Sequence, residues 1–189
     1  GHILECGGQS SGGNFLGDWQ SIPNLAEIGF PIAEAYPNGE VIITKHYNTG
    51  GRVSFETVAE QLLYEIGDPK SYITPDCVAD FTSIKLEDLG NDRVKMFDVK
   101  GLPETEFYKV SCSYSDGFSA VSSLTYSWPK ALSKARVADE ILRKRLANLL
   151  LQFDEIRTEF VGYNSTHGPL AKELNEDEIN EIMLRVAVR

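Results

Sequence analysis

Cysteine is scarce in this 189-residue chain, which carries only Cys6, Cys77 and Cys112. An odd number with no CxxC pair excludes a closed disulfide framework and the paired-cysteine zinc sites, and it fits reduced thiols in the cytoplasm. No apolar run approaches the ~20 residues that span a bilayer, and the N-terminus lacks the basic and apolar regions of a secretory signal. Basic residues are also under-represented, at 18 against 28 acidic, for a net charge of −10. A surface of that sign repels polyanions, so neither nucleic acid nor an anionic membrane is an expected partner. The one basic cluster, Arg143-Lys144-Arg145, falls inside a helical pattern and reads as a solvated face. Equally absent are GxxxxGK[ST], GxGxxG and HExxH, so familiar nucleotide sites and zinc protease chemistry have no support. The residues specify no metal site and no cofactor.

What is present is an ordinary globular mixture, 42% apolar and 24% charged. Such a composition supports a packed core, and with no linker or repeat in view residues 1–189 are expected to form one domain. Ile3–Cys6 reads as a short apolar strand that runs into a glycine-rich loop, Gly7 to Asn14. Pro37-Asn38-Gly39 is a tight-turn sequence between Pro31–Tyr36 and Glu40–His46, which predicts a hairpin. A second glycine loop, Asn48-Thr49-Gly50-Gly51-Arg52, precedes a helix with Ser54 at its N-cap, a Val53/Val58 staple, and Gly67 and Pro69 as its stop.

Four strand-like runs follow between Phe81 and Ser127, separated by Leu89-Gly90-Asn91, Gly101-Leu102-Pro103 and Ser115-Asp116-Gly117. Connections this short impose antiparallel neighbours. Pro129 opens the longest helix, with Leu132, Ala135, Ala138, Leu142, Leu146 and Leu149 on one face. Ile156–Gly162 returns as a strand, Asn175 and Glu178 form a cap signature, and alternation over Leu184, Val186 and Val188 marks a last strand. The predicted class is α+β, an antiparallel sheet with a long and a medium helix packed on it and the glycine loops at its edge; α/β is the alternative. A chain that begins in one strand and ends in another reads as a piece of something longer.

Several groupings could carry chemistry. In Asn48, Thr49, Gly50, Gly51 and Arg52, two glycines, a following helix N-terminus and a guanidinium suit a phosphate or carboxylate; a plain tight turn is the alternative. Cys6 is the candidate nucleophile, although a small core thiol would look the same. On a strand His2 is too distant to serve as its base, which leaves His46 or His167 to approach through the fold. Glu5 adjoins the first glycine loop, where burial would require a partner, and Arg52 is the candidate. Glu34 shares a strand face with Ile32 and Tyr36 and is either a tuned carboxyl or an edge charge. His167 sits in the polar loop Tyr163–Gly168.

Taken in order, HILECGGQSSGGNF, GFPIAEAYPNGEVIITKHYNTGGRVSFETVAEQLLYEIGDPKSYITPD, VADFTSIKLEDLGNDRV and LRVAVR resemble the acyclic terpene utilisation protein A (AtuA) family over most of the chain. The resemblance implies a cytoplasmic role in the catabolism of acyclic terpenoids such as citronellol and geraniol, whose intermediates are acyl-CoA thioesters. It also implies a longer parent protein. It carries no assigned catalytic residues; Glu5, Cys6, Asn14, Thr49, Gly50, Gly51 and Arg52 lie within its characteristic motifs. The expected partners are thus a small-molecule carboxylate or acyl-CoA, the remainder of a longer chain and, as an open alternative, a second copy in a homo-oligomer. Two readings stand side by side, an enzyme domain acting on such a ligand and a non-catalytic assembly or ligand-binding module.

Overall fold

At Pro37-Asn38-Gly39 the chain reverses as its sequence requires: Gly39 adopts φ +85° and Tyr36 N donates to Glu40 O at 2.9 Å. This hairpin belongs to a computed structural model that describes residues 1–15, 17–108 and 110–189. In chain order the elements are α1 (His2–Glu5), β1 (Pro31–Ala35), β2 (Val41–Lys45), α2 (Phe55–Leu63), β3 (Tyr72–Ile73), β4 (Val78–Asp80), β5 (Lys85–Asp88) and β6 (Val94–Phe97). There follow β7 (Lys100–Leu102), β8 (Ala120–Ser127), α3 (Ala131–Asn148), β9 (Ile156–Val161) and β10 (Glu181–Val188). The strands form three antiparallel sheets, ordered β1-β2-β6-β5, β3-β4-β7 and β8-β10-β9. The fold is α+β. No described helix is long and apolar enough to cross a membrane.

The chain gathers into two compact units, Gly1–Ser111 and Cys112–Arg189. In the first, Ile3, Ile43, Val53, Val58 and Val94 make the core. Helix α2 begins as its sequence predicts: Ser54 Oγ accepts from Thr57 N, Thr57 Oγ1 accepts from Ser54 N, and Val53 and Val58 are both buried. The helix ends at Leu63, one turn before Gly67.

In the second unit β10 is the central strand. Its alternating residues Ile182, Leu184 and Val186 pack with Ala131, Leu132 and Ala135 of α3. The residues of α3 that pack on this core run from Ala131 to Leu142, and Leu149, expected on the same apolar face, is 67% exposed. Asn175 caps a single 3-10 turn, Glu176–Glu178.

Three expectations are corrected. Ile3–Cys6 is not a strand: His2–Glu5 closes a helical turn that drops Ile3 into the core, an outcome that so short an apolar run cannot signal by periodicity. Gly101-Leu102 is strand, pairing with β4, and is not a turn. Of the four strand-like runs expected between Phe81 and Ser127, the last becomes strand only from Ala120. The long helix packs on the β8-β10-β9 sheet.

Candidate functional site

Because α1 is helical, residues three apart share a face, and His2 Nδ1 lies 3.3 Å from Glu5 Oε2. The His2 side chain is only 7% exposed, against 56% for Glu5. Its ring sits 5.4 Å from that of Tyr72 and 5.6 Å from that of Phe81, and those two rings stack on each other at 4.9 Å. Gln61 Nε2 donates to His2 O at 2.8 Å and so ties α1 to α2. Around this pair opens a cleft of about 570 Å³, walled by Leu4, Leu62, Tyr72, Phe81, Ile84 and Met96. Its volume is that of a small-molecule site, its walls are mostly apolar, and α1 contributes His2 and Glu5 to its lining.

The second glycine loop does not offer its main chain to a ligand. Gly50 N donates to Glu27 O, Gly51 N to Pro23 O and Arg52 N to Ser11 O, while Thr49 N donates to His46 O. Val53 N and Phe55 N, the donors at the start of α2, are taken by Asp92 Oδ1 at 2.9 Å and Asp88 Oδ2 at 3.3 Å. The start of α2 does hold carboxylates, but they are the protein's own. Its glycines answer to close packing: a Cβ on Gly50 would stand 2.0 Å from Asn24 O, and one on Gly51, whose φ is +89°, 2.6 Å from Ser11 O. The main-chain donors of Thr49, Gly50, Gly51 and Arg52 are thus taken up within the fold, and this geometry lends no support to the anion cradle expected of Asn48, Thr49, Gly50, Gly51 and Arg52.

Arg52 does not meet Glu5. Its guanidinium donates to Ser21 Oγ and Ser21 O, both at 2.8 Å, and it lines a different cleft beside Asp18, Glu56 and Glu60. With three carboxylates to one guanidinium, that cleft disfavours an anion. The first glycine loop is likewise folded on itself. Gly7–Ser11 forms a 3-10 helix, Ser10 Oγ donates to Ile3 O and Ser11 Oγ to Gly29 O, and Asn14 is half-buried at its end.

Cys6 is half-buried and lines neither cleft. Its neighbour is a phenol and not a histidine: hydrogen bonding to Cys6, with the nearby Glu65 carboxylate, pushes Tyr64 up to about 12. His46 is exposed, and His167 lies exposed in the second unit. The grouping of Cys6, Glu5 and Arg52 expected for catalysis is thus not assembled. Glu34 is held by Arg93 through bonds of 3.0 and 2.6 Å, and that guanidinium lowers its pKa, the opposite of what a proton donor at neutral pH needs. The residue missed in the sequence is His2, set aside because on a strand it lies too far from Cys6 to act as its base.

No curated protein and no solved structure matches the chain. The family model described as acyclic terpene utilisation family protein AtuA matches residues 1–189, the whole of it. The order of motifs, the paired glycine loops and this match agree, and the chain belongs to the acyclic terpene utilisation protein A family.

Proposed function

We propose that the chain binds an acyclic terpenoid carboxylic acid or its acyl-CoA thioester, in the cytoplasm, with the branched hydrocarbon in the cleft beside α1. Membership of the family supplies the role in acyclic terpene utilisation. The observation that carries the ligand class is the cleft itself: an apolar wall from Leu62, Phe81, Ile84 and Met96, with His2 and Glu5 of α1 also lining it. A chain of methyl-branched carbons removes apolar surface from water there, at about 25 cal/mol per Å² buried. The polar head is left at α1.

The test is thermal stabilisation of the intact protein by terpenoid acids and their CoA thioesters. A ligand at a hundredfold excess over Kd stabilises by about 2.7 kcal/mol, enough to move the midpoint visibly. Ile84→Asp, which places a charge in the apolar wall, should abolish the shift. No shift with any member of either class, or an equal shift in the variant, would refute the reading.

A second reading, an assembly module, is favoured by one observation on the other unit. Among the described residues, strand β8 pairs only with β10; it is exposed along nearly its whole length and contains no charged residue in Ala120–Ser127. Edge strands are ordinarily protected by charge, as Arg157 and Glu159 do on β9 at the opposite edge. An unguarded edge suits antiparallel pairing with β8 of a second copy.

A further inference from the structure

The His2 imidazole is buried in the wall of the cleft, yet neither of its ring nitrogens has a hydrogen-bond partner among the described residues. Nδ1 stands at ion-pair distance from Glu5 without completing a hydrogen bond, and Nε2 has no such neighbour. Burying an imidazole in this way costs free energy unless something completes its bonding. The rest of its environment is built for the ring: Tyr72 meets it edge-on, Phe81 tilts against it, and Gln61 anchors the carbonyl of the same residue. A residue needed only to fill space against two stacked aromatic rings would do so better as phenylalanine. Glu5 and Tyr72 are the other titratable side chains that line the cleft.

Resting on the cleft reading above, we infer that His2 is the group that recognises the ligand's polar end: Nε2 donates a hydrogen bond to the acyl oxygen, with Glu5 holding the imidazole from Nδ1. The contact distinguishes an oxygenated terpenoid from a bare hydrocarbon of the same shape, because only the former satisfies the buried nitrogen. Glu5 is a positioning residue in this arrangement; it touches the imidazole and not the ligand.

The experiment compares wild type, His2→Phe, His2→Gln and Glu5→Gln in the intact protein, using citronellic acid and its CoA thioester as probes in calorimetric titrations. His2→Phe keeps a ring against Tyr72 and Phe81 but has no donor, so its ligand-free melting midpoint should be equal to or above that of wild type while Kd weakens at least about tenfold. His2→Gln retains an amide donor and should recover part of the affinity. In wild type the Nε2 nitrogen resonance should move on addition of the probe, a signature that a packing residue would not give. If wild type binds and His2→Phe binds equally well, or the resonance does not move, His2 is a packing residue and the inference fails while the cleft reading survives. If wild type binds neither probe, both fall together.

Discussion

The backbone N–H of Val53 donates to Asp92 Oδ1 at 2.9 Å, so a carboxylate from the β5–β6 turn occupies the place at the head of α2 where an external anion was expected. Asp92 adopts φ +56° to reach it, and Lys45 Nζ lies 3.7 Å from its second oxygen. Lys45 in turn donates to Thr49 O at 2.7 Å, which fastens the glycine loop to the same point. Asp92→Ala should therefore destabilise the protein by about 1–2 kcal/mol, the range for losing a capping acceptor, with Asp92→Asn milder because it can still accept. Chemical denaturation checks this; an unchanged midpoint would show that the carboxylate is incidental.

Gly50 is constrained by contact and not by a ligand. A Cβ 2.0 Å from Asn24 O cannot be accommodated unless backbone moves. Gly50→Ala should cost about 3 kcal/mol or more and lower the melting midpoint with or without ligand present. A loss of ligand affinity at unchanged stability would instead restore a binding role to the loop.

Much of the architecture was legible because the local signals agree with one another. The Asn-Gly turn, the Ser54 cap with its Val53/Val58 staple and the alternation in β10 each name their structure, and each is realised. The site was less legible for a definite reason. Four residues, Ile3 to Cys6, are too few to distinguish a helical turn from a strand, and that single choice decides whether His2 and Glu5 are neighbours. The glycine loop misled differently: its physics, donors at a helix N-terminus attracting a carboxylate, was right, but Asp88 and Asp92 lie more than thirty residues away in sequence and only the fold brings them in. Nor does any Gly- or Pro-rich linker mark the boundary at Ser111–Cys112.

Acid should weaken the first unit through Glu34. Its bidentate pairing with Arg93 holds the carboxyl below its ordinary value of 4.5. A group whose folded pKa is depressed contributes stability that is complete above the unfolded value and is lost as pH falls through the folded one. Stability should thus decline as pH drops below about 4.5, and Glu34→Gln should flatten that part of the profile. A variant with the same acid slope as wild type would show that other carboxylates carry it.

The edge of β8 makes a prediction about assembly. Light scattering of the intact protein should show a concentration-dependent dimer, and Ser123→Lys, which places a charge on the unguarded strand, should return it to monomer. A wild type that stays monomeric, or a variant that still dimerises, removes β8 as the contact.

The central claim is that the cleft beside α1 takes an acyclic terpenoid acid or thioester. Its most direct test is a calorimetric titration of citronellic acid and its CoA thioester into wild type and Ile84→Asp. The account predicts saturable one-site binding of at least one probe to wild type and none to the variant; absence of binding to wild type, or equal binding to both, would contradict it.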